Sequence, residues 1–137
     1  MTNKQLMQNI FAELEHGNSA PLIETMAEDF CWTVKGSGDW SRTYEGKPKV
    51  LTKLLRPLRE QFANQYTNTA HRFIAEDDLV VIECQGKVTT KSGQPYHNSY
   101  CFICRLAESK LKEITEYCDT ELVAQVLHYP KGEFINE

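Results

Sequence analysis

The sequence predicts an α+β fold in which helices come first and a meandering sheet follows. Three observations predict it. Apolar residues recur at helical spacing through the first half, at Leu6, Ile10, Phe11 and Leu14 and again at Leu51, Leu54, Leu55, Leu58 and Phe62. From about Tyr66 the period changes to two, giving candidate strands at 66–75, 79–91, 96–106 and 110–118. The separators "AEDD", "KSGQ" and "AESK" are short and polar, as hairpin connections are. Helices segregated from such a sheet cover one of its faces.

The elements follow in order. The first helix ends at "HGN", residues 16–18, where glycine supplies a stop. Asn18 or Ser19 caps a second helix, with Pro21 tolerated in its opening turn and Leu22, Ile23, Met26, Ala27 and Phe30 on its apolar side. "FCWTV" has strand composition. "KGSGDWSRTYEG", 35–46, holds three glycines with Trp40 and Tyr44 and reads as a loop or ragged edge strand. A third helix opens near Pro48, and Pro57 inside it predicts a kink or break around residues 53–56.

Composition bounds the function. A chain of 137 residues has the length of one domain, so 1–137 is expected to share a single core. The net charge is −4 and no basic run exceeds "KPK", which argues against nucleic acid as a partner. The first residues are amphipathic and interrupted by charge, and no stretch approaches the roughly 18 apolar residues of a membrane span. A cytoplasmic protein away from membranes is expected. Five cysteines among β-branched and aromatic neighbours suit buried thiols in a reducing compartment. In "CFIC", Cys101 and Cys104 fall on opposite faces of a strand, so no metal site is expected there.

The stretch "YHNSYCFICRL", 96–106, places Tyr96, Asn98, Tyr100, Phe102, Cys104 and Leu106 on one face, the apolar one. An amide and two phenols on a core face are costly to bury without partners, so Asn98 and Tyr100 are expected to face something polar. In the last strand, an inward Ile114 brings Glu116 and Cys118 inward too. Glu116 then becomes a pocket carboxylate with a raised pKa, or it pairs with Arg72 or His71 and supports the fold. Asp119 either joins the site or caps "TELVAQVL". His71 shares a face with Thr69 and Phe73 and is a further inward candidate, whereas His97 points outward. Trp32 borders the same region. Trp40 and Tyr44 form either a lid over a ligand or a dimer contact.

The order of elements and the ending "KLKEITEYCDTELV" resemble the SnoaL-like branch of the nuclear transport factor 2-like superfamily, with Ser109 where glycine is common. That resemblance implies a cone-shaped, strongly bent antiparallel sheet wrapped around three N-terminal helices, with a deep pocket open at one end for a small apolar or aromatic molecule. It also implies chemistry without a cofactor. The stretch "TKSGQPYHNSYCFICRLAESKLKEITEYCD" is similar to limonene epoxide hydrolases of the same superfamily and sets Glu116 on their catalytic aspartate. Asn98, Tyr100, Ile114 and Cys118 then fall on pocket-wall positions. The rest of that catalytic set falls on Trp32, Val34, Glu83 and Gln85, and the ketosteroid isomerase set on Ile10, Val34 and Phe102, so neither activity is implied. Apolarity turns Val80, Ile82 and Cys84 of the 79–91 strand inward. The alignment turns Glu83 and Gln85 inward instead and leaves the apolar face for a homodimer contact. The alignment is adopted as the expectation.

Together these readings predict acid/base chemistry of an isomerase, cyclase or dehydratase type on a carbonyl-bearing apolar molecule. Glu116 would transfer the proton, Asn98 and Tyr100 would orient the substrate oxygen, and Trp32 and Trp40 would give contact surface. The other reading is a non-catalytic ligand-binding or dimerisation module.

Overall fold

The computed structural model describes residues 1–130. Thr2 opens α1 (Asn3–Leu14) with a capping box: its hydroxyl accepts from Gln5 N at 3.1 Å and its own N–H donates to Gln5 Oε1 at 2.9 Å. The helix stops where expected. Gly17 takes φ 84°, which lets its N–H and that of Asn18 close on Leu14 and Glu13 carbonyls. α2 (Ala20–Thr25) is shorter than the sequence suggests, because β1 (Met26–Val34) begins at Met26. Met26 and Phe30 are thus strand residues. Their helical spacing arises from an irregular register between Met26 and Cys31, which breaks the alternation of two.

β2 (Thr43–Glu45) is the short edge strand inside the glycine-rich loop. The expected break before Pro57 takes the form of a wide turn. α3 (Lys47–Lys49) runs into a π-helical segment (Val50–Leu55) and then α4 (Arg56–Arg59), with Arg56 N–H reaching back five residues to the Leu51 carbonyl. Proline lacks the N–H that would continue an α-helical ladder, and widening the preceding turn accommodates its ring.

The meander follows as β3 (Thr67–Glu76), β4 (Leu79–Lys87), β5 (Ser99–Ala107) and β6 (Lys110–Cys118), closed by α5 (Thr120–Val126). The sheet order is β2-β1-β6-β5-β4-β3. It is not wholly antiparallel: β1 lies parallel to β6. Register shifts in β1, β3 and β5 bend it.

Cross-strand pairing sets the inward rows. Trp32, Ile114, Cys104 and Val80 form one; Val34, Glu116, Phe102, Ile82 and Phe73 form the next. α1 covers them, with Phe11 edge-on to Phe73 at 5.9 Å and tilted on Phe102 at 6.4 Å. Burial of Met7, Ile10, Phe30, Val80 and Ile82 at 2% exposure or less puts the core between α1 and the sheet. Among the described residues no helix is long and apolar enough to cross a membrane.

This arrangement corrects the expectation for β4. Val80, Ile82 and Cys84 are buried, so Glu83 and Gln85 face outward, away from the core. Glu83 pairs with Arg72 at 3.2 Å, and Gln85 bonds Ser99 and the Asn98 carbonyl. Burying three apolar side chains outweighs the alignment, and the argument for a dimer through that apolar face goes with it.

Candidate functional site

Between the curved sheet and the helices lies a cavity of about 420 Å³. Phe11 and Leu14 of α1, Leu54 and Leu58 of the third helical run, and Val123 and Leu127 at and after α5 make its roof. The sheet makes its floor. Its lining turns polar where exposed residues reach solvent, at Arg59, Asn64 and Gln65. Two hydrogen bonds cross this rim: Arg59 donates to Ser19 Oγ at 3.0 Å and Gln65 Nε2 to the Gly17 carbonyl at 2.8 Å.

Glu116 lies on the floor, on the inward row between Val34 and Phe102. Trp32 Nε1 donates to Glu116 Oε1 at 3.0 Å, so the carboxyl pairs with an uncharged donor rather than with Arg72 or His71. Burial raises its pKa from 4.5 to about 7, and the bonds from Trp32 and Cys118 restrain that rise only in part. Cys118 stands beside the carboxyl but outside the wall, its thiol pushed up to about 12 chiefly by burial and then by the Glu116 charge.

Tyr100 lines the cavity one row away, paired with Cys118. It shares hydrogen bonds with Tyr66 and Tyr96, which line the cavity as well. Burial lifts all three phenols well above their ordinary range, so they are protonated donors at neutral pH. The floor beneath them is Gly86. A Cβ there would lie 2.5 Å from Tyr66 Oη and 2.9 Å from Tyr100 Cε2, so the missing side chain is what lets these rings lie down on β4.

Trp32, Trp40 and Ile114 also line the cavity. Trp40 is a wall residue, 5% exposed and edge-on to Tyr129 at 5.0 Å, with its carbonyl accepting from the Tyr44 hydroxyl at 3.0 Å.

Besides Cys118, Glu83 and Gln85, three further expected residues lie off the wall. Asn98 is fully buried but off the cavity wall: its Nδ2 donates to Tyr96 Oη at 2.9 Å and to the Asp119 carbonyl at 3.1 Å, and its Oδ1 accepts from Asp119 N at 3.0 Å. The amide that the sequence assigns to a ligand thus anchors the chain where β6 turns into α5. Asp119 is exposed and caps α5, accepting from Glu121 and Leu122 N–H groups at 3.1 and 3.2 Å. His71 is exposed at a β-bulge: Ala70 pairs with Cys84 and Arg72 with Glu83, leaving His71 as the extra residue. The bulge also inverts the phase, so Asn68 and Phe73 both turn inward although five positions apart.

Asn68 and Tyr66 were not anticipated, yet a signal existed. "YTN" at 66–68 and "YHN" at 96–98 are the same Tyr-x-Asn pattern, and in both the amide Nδ2 donates to the phenol two residues back, at 3.0 and 2.9 Å. The two pairs flank Tyr100. Among the described residues no group of three or more His, Cys, Asp or Glu is placed to hold a metal ion.

Comparison with known proteins agrees with this architecture. The family model described as a SnoaL-like domain matches residues 7–114. No curated protein matches the sequence significantly. Among solved structures, a nuclear transport factor 2-like protein from Burkholderia thailandensis superposes with a TM-score of 0.78 at 20% identity, covering 92% of this chain and 97% of that one. A candidate SnoaL-like polyketide cyclase from Jannaschia gives 0.72 at 18% identity over 92% and 91% of the two chains. TerC, co-crystallised with polyporic acid, gives 0.73 at 15% identity over 89% and 95%. At these identities the likeness is one of fold, that of nuclear transport factor 2-like proteins, and the family follows from the model match: the chain belongs to the SnoaL-like domain family.

Proposed function

We propose that the protein binds a small, mostly apolar, carbonyl-bearing molecule in this cavity and moves a proton on it, as an isomerase, cyclase or dehydratase does. The observation that carries the reading is Glu116: a carboxyl on a mostly apolar floor, with a pKa raised to about 7 and a neutral hydrogen-bond partner. A base with that pKa is near its optimum for proton transfer at neutral pH. Glu116 and Tyr100 are diagonal neighbours on β6 and β5, a spacing of roughly 7 to 8 Å in such a register, with the Cβ atoms somewhat closer. A carbon acid fits between them. Glu116 takes the proton beside the carbonyl, and the Tyr100 hydroxyl, held among Tyr66 and Tyr96, donates to the oxygen as it gains charge. The apolar walls exclude water and strengthen both interactions. A SnoaL-like polyketide cyclase candidate and a polyporic acid complex among the fold neighbours are compatible with a ligand of this kind.

The second reading, ligand binding without catalysis, is favoured by the positions where related enzymes keep catalytic groups, since this chain has Val34 and Phe102 there. One experiment separates the two. β-Tetralone, an apolar ketone with exchangeable protons beside its carbonyl, is incubated with the protein in heavy water and its deuteration followed by NMR. Proton-transfer chemistry predicts exchange faster than buffer, rising through about pH 7 and falling to the buffer rate in Glu116→Gln. Binding with no acceleration, or equal rates in the two proteins, overturns it in favour of the binding module.

A further inference from the structure

The two Tyr-x-Asn pairs share the bond to the phenol and differ in what else the amide finds. In the 96–98 pair the amide is complete: Nδ2 reaches the phenol and Oδ1 accepts from Asp119 N. In the 66–68 pair Nδ2 reaches the phenol in the same way, but Oδ1 is buried without a partner, on a residue that is 2% exposed and lines the cavity. Trp40 Nε1, on a residue 5% exposed in the same cavity, is a second buried polar atom without a partner. A buried polar atom left unsatisfied is destabilising, and native folds rarely retain one without a purpose. Here two share one cavity, one an acceptor and the other a donor.

Their placement gives the ligand a shape. Asn68 stands on β3 at one edge of the sheet, and Trp40 precedes β2 at the other. Glu116 and Tyr100, on β6 and β5, lie between them in the strand order. We infer, resting on the reading that the cavity takes a small apolar molecule, that its ligand is elongated and polar at both ends: a hydroxyl or other donor meets Asn68 Oδ1 and a carbonyl or other acceptor meets Trp40 Nε1. The apolar middle passes over Phe102 and Ile114. Asn68 and Trp40 are then the residues that choose among apolar ligands of similar size.

The test uses four matched probes and NMR titration of the amide correlation spectrum: biphenyl, para-phenylphenol, para-acetylbiphenyl and biphenyl bearing hydroxyl and acetyl groups at opposite para positions. The hydroxyl is expected to tighten binding about tenfold and the acetyl group by a similar factor. Asn68→Leu removes the first gain and Trp40→Phe the second, each gain being read against the same variant's own affinity for biphenyl. Should Asn68→Leu fail to fold, the methyl ether of para-phenylphenol decides in the native protein, since it lacks the donor and is expected to bind no better than biphenyl. Equal affinity for biphenyl and para-phenylphenol, or a hydroxyl gain that survives in Asn68→Leu or in the methyl ether, overturns the inference and leaves the small-molecule reading standing. Absence of any biphenyl binding overturns both.

Discussion

Replacing Glu116 by glutamine removes the ionisable group while keeping an oxygen for the Trp32 N–H, so the substitution isolates the charge. Raising a carboxyl from 4.5 to about 7 multiplies its proton affinity by about two and a half decades. At about 1.4 kcal/mol per decade, the fold disfavours the ionised form by about 3 kcal/mol. The sign follows from proton counts. Below 4.5 the group is protonated folded and unfolded and contributes nothing. Between 4.5 and about 7 the unfolded chain releases its proton while the fold keeps it, so stability declines as pH rises, and above about 7 the loss is complete. Urea denaturation of both proteins from about pH 4 to about pH 8 is the assay. The native protein should lose up to about 3 kcal/mol relative to Glu116→Gln across that range. Two curves separated by a constant offset would refute the reasoning.

Other consequences are as concrete. Gly86→Ala places a methyl group against Tyr66 and Tyr100, so it should cost about 1 to 3 kcal/mol and weaken ligand binding; a variant of native stability and affinity would show that those rings do not rest on the glycine. Asn98→Leu strips the Asp119 N–H and carbonyl and the Tyr96 hydroxyl of a partner, and a loss of about 2 kcal/mol or more is expected in urea, where a change under about 0.5 kcal/mol would contradict the anchoring role. We propose a homodimer through the outward sheet face, now on a different ground from the one the sequence suggested. There Thr33, Thr115, Ile103, Val81 and Ile74 make one β-branched row across five strands, with Ile74 53% exposed. Light scattering tests it, and a monomer at micromolar concentration would end that proposal.

Much of the fold was legible in periodicity because most elements bury one face without interruption. The α1 stripe follows from spacing, the break before Pro57 from the proline ring, and the four meander strands from alternation and polar separators, with β4 ending at Lys87 and β5 starting at Ser99, inside the expected 79–91 and 96–106. What spacing missed were the irregularities. One extra residue in β3 moved His71 out and Asn68 in, and the irregular start of β1 imitated a helix at Met26 and Phe30. For β4 the simple rule that apolar residues turn inward was correct, and the alignment misplaced Glu83 and Gln85. At the site, Glu116, Tyr100, Trp32, Trp40 and Ile114 were each reached by alternation or context. Asn98 was correctly turned inward, but alternation says nothing about a backbone segment folding back to satisfy an amide. Only the tertiary path of residues 118–120 shows that Asp119 supplies its partner.

The central claim, that Glu116 exchanges protons near neutral pH on the floor of an apolar cavity, is tested most directly by following its carboxyl carbon by NMR in the free protein. A midpoint at about 7 is the predicted result; a midpoint at the ordinary 4.5 would contradict it.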